Sequence, residues 1–186
     1  MKLIDMDIST LISQTRKASA NPGGGAILIL ISNLALNLIL MMDKKKWGDL
    51  EDRANVSHET IIDFSKQLER LMQDDVDGFD SLMSKFKSDC VSKSDYLDAA
   101  SALRSMVDID IKSLDILNFY LSNGKKSTLT DGEIANNLLK ESIISSISTI
   151  KINMENTDEI IDYDQIKNKT YELYQANKKI IERRKK

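Results

Sequence analysis

Pro22-Gly23-Gly24-Gly25-Ala26-Ile27-Leu28-Ile29-Leu30-Ile31-Ser32-Asn33-Leu34-Ala35-Leu36-Asn37-Leu38-Ile39-Leu40-Met41-Met42 is the stretch that decides the fold. It opens on the only proline of the chain and is apolar nearly all round as far as Asp43. A helix with no polar face has to be surrounded. Lipid could do this, but the run is at the short limit for a bilayer, and Ser32, Asn33 and Asn37 carry polar groups that are costly in hydrocarbon. The better reading is a central helix over residues 25–43, wrapped by the rest of the chain or by a second subunit.

Outward from that helix, apolar residues recur every three or four positions and no alternating run suggests a strand. The spacing predicts a first helix over residues 6–17, with Met6, Ile8, Leu11 and Ile12 inward, ended by the Pro-Gly loop. A third helix covers residues 50–87. A fourth, or a broken pair, runs from about Ser94 to Asn123-Gly124, where Gly124 suits a left-handed C-terminal cap. Thr130-Asp131-Gly132-Glu133 has capping-box spacing and would open a fifth helix reaching about Asn156. Thr157 or Asp158 would cap the last, which turns Tyr163, Ile166, Thr170, Leu173 and Ile181 inward. It ends in Arg183-Arg184-Lys185-Lys186, cations that suit a helix C-terminus better than a binding patch. The expectation is an all-α, up-and-down bundle of about six helices around the apolar one, forming a single domain over residues 1–186.

Composition narrows the chemistry. Lys and Arg number 26 against 29 Asp and Glu, so no basic surplus recommends nucleic acid as a partner. Cys90 is the only cysteine and His58 the only histidine, which excludes an internal disulfide framework and the usual Cys/His zinc site. No calcium-loop motif is present, so no metal site is expected. No leader precedes the first helix, and a reducing cytoplasm fits best. His58 lies in a polar stretch and reads as a surface residue, not as a member of a Ser-His-Asp arrangement. What remains for an enzyme is carboxylate, lysine and backbone chemistry.

One carboxylate stands out. Leu68, Met72, Phe79, Leu82 and Phe86 form one face of the third helix, and the missing member of that series is Asp75. Asp74, Asp77 and Asp80 project away from it. Asp75 either bonds to a neighbouring helix end or is a cleft acid whose pKa is raised by desolvation, suited to moving protons near neutral pH. A second seam, Ala135, Leu139, Ser142, Ser146, Thr149 and Asn153, follows one face of the fifth helix. It serves close packing, or its Asn153 holds a ligand amide or orders Asp75. Gly23 to Gly25 are either a tight turn or a set of free backbone N–H groups at the positive end of a helix, suited to a carboxylate or phosphate.

Together these positions carry a family resemblance. Pro22-Gly23-Gly24-Gly25 before an apolar helix and Met42-Asp43-Lys44-Lys45-Lys46-Trp47 after it resemble the PGGGS…GKKKY signature of the formiminotetrahydrofolate cyclodeaminase and methenyltetrahydrofolate cyclohydrolase family. Asp75-Val76-Asp77-Gly78-Phe79 is similar to the family's D-A-E-A-F, Thr130 to Ala135 to its S-D-x-x-V-A, and Ile152-Asn153-Met154 to its I-N-L. The resemblance implies an obligate oligomer, a homodimer or higher, and a tetrahydrofolate derivative as substrate without metal. It implies that Asp75 is catalytic; the residues themselves suggest that Lys45 balances its charge or orients it, or is a helix C-terminal cation. Gly23, Gly24, Gly25, Asp131 and Asn153 would hold the substrate. The chain departs from the pattern at Ala26, Met41, Asp43 and Asp108, so a catalytically inactive folate-binding or structural helical oligomer is the alternative.

Overall fold

The computed structural model describes residues 2–17 and 22–186. Among these are six α-helices and no strand: α1 (Ile8–Thr15), α2 (Gly24–Leu40), α3 (Glu51–Phe86), α4 (Lys93–Asn123), α5 (Leu129–Met154) and α6 (Tyr163–Lys185). From α2 onward each helix packs on the next, and the links are short, so successive helices run antiparallel. α2 also lies against α4 and α5, while α6 lies on α4 and α5.

The polar residues of α2 are matched residue by residue. Ser32 Oγ donates to Asp110 Oδ2 of α4 at 2.6 Å, and Ser65 of α3 donates to Asn33 Oδ1 at 2.6 Å. Asn37 Nδ2 donates to the Asn33 carbonyl oxygen at 2.9 Å. Buried polar groups are tolerated when paired, and such pairs set the register of helices that apolar contact alone would leave free to slide. Burial drives the pKa of the Asp110 carboxyl well above the usual carboxylate range, against the hydrogen bond from Ser32. Among the described residues no helix is long and apolar enough to cross a membrane.

Several local expectations are corrected. Gly124 has φ −71° and ψ −177°, not a left-handed conformation. Its missing side chain is required by close approach, because a Cβ there would stand 2.7 Å from the carbonyl oxygens of Met42 and Tyr120. α5 begins at Leu129, one residue before the supposed box, and Thr128 makes no side-chain cap. Glu133 is instead engaged by Lys185 of α6. Neither Thr157 nor Asp158 caps α6: Asp162 does, accepting from Gln165 N at 2.9 Å. The basic tail is used within the fold, since Arg184 donates to the carbonyls of Leu121 and Gly124.

The largest departure concerns α1. None of its residues is buried, and Ile8 and Ile12 are 77% and 56% exposed. The amphipathic pattern is real, yet within one chain it meets only an apolar groove. The outer face of α2 is also open, with Leu34 55% and Met41 48% exposed. The apolar helix is therefore not enclosed by its own chain.

Candidate functional site

Glycine permits what the start of α2 does. Gly23 is the N-cap, in an extended conformation, and the first N–H groups of the helix have no intrahelical acceptor. α3 crosses this end and places Asp75 on it. The carboxyl group lies so close that a Cβ on Gly25 would fall 2.4 Å and 2.6 Å from its two oxygens. Only glycine leaves room for it. The Ala26 N–H donates to this carboxylate.

Two effects compete at Asp75. Burial is the larger and pushes its pKa up from 3.8 to about 6, while the Ala26 N–H favours the charged form and pulls it down. The two sequence readings of Asp75 thus describe one group, which bonds a helix start and is also a desolvated acid. The buried line of α3 passes through Leu68, Met72, Val76 and Leu82, whereas Phe79 and Phe86 are 38% and 44% exposed. Asp75 sits on the flank of that line, half-buried, facing α2. Asp74, Asp77 and Asp80 are exposed.

An apolar groove of about 610 Å³ opens beside this group, lined among others by Leu3, Ile8, Leu11, Ile27, Leu30 and Met72. Ile27 follows the residue that bonds Asp75, and Met72 is one helical turn before it. The Leu3 N–H, bonded to Gln73 Oε1 at 3.1 Å, pins the N-terminal segment over α3.

The structure divides the expected site residues between two ends of the bundle. Lys45 follows the C-terminus of α2, a helix of 17 residues, which separates it from the Asp75 end by roughly 25 Å. Asp131 lies at Lys45's end, because its neighbour Gly132 abuts Met42: a Cβ there would meet the Met42 sulfur at 2.4 Å. α5 starts beside the end of α2 and packs along it, so it runs back and carries Asn153 toward the Asp75 end. One chain thus joins Gly23, Gly24, Gly25 and Asp75, with Asn153 toward the same end, and holds Lys45 and Asp131 apart from them.

A cluster at the Lys45 end is absent from the sequence reading. His58 Nδ1 lies 2.6 Å from Asp43 Oδ2, and the Trp47 indole donates to Asp43 Oδ1 at 3.2 Å. The Trp47 ring stacks on Phe119 and meets Tyr120 edge-on. Burial and then the charge of Asp43 push the Tyr120 hydroxyl above its usual range. The i, i+4 spacing of Asp43 and Trp47 was the available signal; His58 gave none, since it arrives from another helix.

The described residues form an all-helical bundle with a desolvated carboxyl group lodged on a glycine-rich helix start. The chain belongs to the formiminotransferase-cyclodeaminase family, whose pattern matches residues 7–172. Its fold is that of the crystal structure of formiminotetrahydrofolate cyclodeaminase from Thermotoga maritima. The TM-score is 0.87, over 97% of this chain and 98% of that one, at 18% identity. No curated protein matches the chain in sequence.

Proposed function

We propose that this protein is a folate one-carbon enzyme, a formiminotetrahydrofolate cyclodeaminase or a methenyltetrahydrofolate cyclohydrolase, with Asp75 as the proton shuttle. The observation that carries the reading is the half-buried Asp75 carboxyl group lodged against Gly25 at the start of α2, where burial pushes its pKa up to about 6. Such a group exchanges protons near neutral pH, which an exposed aspartate does not. Family membership supplies the substrate class.

In the cyclodeaminase direction N10 attacks the formimino carbon and loses its proton. The formimino nitrogen, =NH in the substrate, takes up two protons, one matching the proton N10 gives up and one from acid, and leaves as ammonia, giving the cationic 5,10-methenyl product. In the hydrolase direction water adds to the methenyl carbon and loses both its protons in turn, while N5 takes up one as the C–N5 bond breaks, so that the 10-formyl product forms with net release of one proton. Asp75 serves the first as an acid at the departing nitrogen and the second as a base toward water. The limb of kcat/KM near pH 6 separates the two roles, falling with rising pH for the acid and rising for the base.

The unit that works is an assembly of at least two copies. The open face of α2 has Leu34 near its midpoint. One end of the helix leads into Lys44 to Lys46 and the other lies against Asp75. An antiparallel crossing of two such helices brings opposite charges together and covers apolar surface. Lys45 and Asp131 of one copy then complete the Gly23–Asp75 site of the other, and the substrate's apolar parts occupy the adjoining groove.

Asp75→Asn should reduce turnover by about 10²- to 10⁴-fold while folate binding and helicity persist. Ammonia release from the formimino substrate and the ultraviolet absorbance of the methenyl compound are the two readouts. Full activity in that variant would remove the role.

A further inference from the structure

Asp43 stands where the family signature has glycine, and the structure gives its carboxylate two partners. The segment it begins is held at both ends. Upstream, the Met42 carbonyl accepts from Lys125 N–H at 2.9 Å, and Gly124 packs against the same oxygen. Downstream, the Trp47 N–H donates to Glu51 Oε2 at 2.9 Å. Between them the Asp43 side chain closes the segment on itself by taking the Trp47 indole N–H, and ties it to α3 by taking His58 Nδ1. A carboxylate only accepts, so Nδ1 carries the imidazole proton and the tautomer is set.

The neighbours explain why this is more than a surface ion pair. Trp47 is 6% exposed and wedged among Phe119 and Tyr120, so one end of the closure is anchored in the core. Lys44 lies over the outer side of the Trp47 ring at 4.6 Å. Lys45 and Lys46 are left exposed at the tip of a backbone fixed on three sides. An isolated exposed pair is worth little, but a bond to a charged group that also holds a buried ring restricts the segment that carries it.

We infer that Asp43 and His58 are positioning residues, a clasp that holds the basic segment 43–47 in one conformation and so presents Lys45 to the site formed with a second copy. The inference rests on the Lys45 role proposed above. Neither residue touches substrate, and both act through Lys45. A conformation fixed in advance saves the cost of ordering a lysine side chain at each encounter and keeps the cation in reach of the reacting centre.

A double-mutant cycle tests this, with Trp47, the only tryptophan, as an internal reporter. Asp43→Ala and His58→Ala should each change Trp47 emission and lower kcat/KM on the order of 10- to 100-fold, the effect of a misplaced catalytic cation. In the Lys45→Ala background they should cause no further loss. His58→Asn, whose amide N–H stands where Nδ1 does, should restore most of the activity and the emission. Additive losses, or activity untouched while the emission shifts, would overturn the clasp. A silent Lys45→Ala with a responsive Trp47 would instead sink the Lys45 role and leave the clasp with nothing to position.

Discussion

At Asp75 two opposing quantities meet in one carboxyl group. A helix N-terminus and a backbone N–H ordinarily favour a carboxylate, yet burial wins and holds the pKa at about 6 against 3.8. The consequence for stability follows from the sign. A folded-state pKa raised above the unfolded one means that the group favours the folded chain below the unfolded pKa, and that this contribution is lost as pH rises through about 6. Asp75→Asn should therefore be more stable than the unmodified protein at pH 8 by about 1–2 kcal/mol, and no more stable at pH 4, as urea unfolding would show. Gly25→Ala should displace the carboxyl group from the Ala26 N–H without unfolding the chain, because a side-chain end can move aside. Activity should fall while the circular dichroism spectrum stays unchanged. The sequence revealed Asp75 because it breaks an apolar series; it could not reveal that Gly25 makes room for it, since that contact joins residues 50 positions apart.

Helix α2 shows what hydrophobic pattern alone leaves undecided. Its apolar length made a helix certain, but its partners are chosen by Ser32, bonded to Asp110 of α4, and by Asn33 and Asn37, bonded to Ser65 of α3. Periodicity scored those three as blemishes in an apolar run. Helix ends were the least legible part, because the N-caps at Thr128 and Asp162 answer to the packing of α5 and α6 and not to local motifs. Gly124 illustrates the point: glycine is needed there for the space taken by the Met42 carbonyl, and a conformational rule pointed to the right residue for the wrong reason. Gly124→Ala should accordingly cost about 1–3 kcal/mol in denaturant unfolding, since the obstructing atoms are backbone and cannot swing away.

The molecule as one chain is unfinished at two places, the outer face of α2 and the apolar side of α1. Sequence patterns carry no mark for which apolar faces meet their own chain and which meet another, and this is why Ile8 and Ile12 were assigned inward. The resemblance groups Lys45 and Asp131 with Asp75, although in one chain they lie toward opposite ends of α2. The assembly proposed above would account for both observations. Leu34→Glu should dissociate the assembly in sedimentation equilibrium and remove activity with helicity retained. Mixing Asp75→Asn protein with Lys45→Ala protein, each strongly impaired alone, should restore about a quarter of the unmodified activity if subunits exchange at random and each site draws on two copies. In the proposed assembly a partner's Lys45 favours the carboxylate form of Asp75, so the residual activity of Lys45→Ala should show its kcat/KM limb at higher pH.

Titration of the Asp75 carboxyl carbon by ¹³C NMR, assigned through Asp75→Asn and performed on Lys45→Ala protein so that only burial and the Ala26 N–H act, reads the decisive property without any substrate. A midpoint near 6 agrees with a desolvated acid able to carry protons at physiological pH. A midpoint at the ordinary 3.8 would mean that solvent reaches the group freely, and the proton shuttle would have no physical basis.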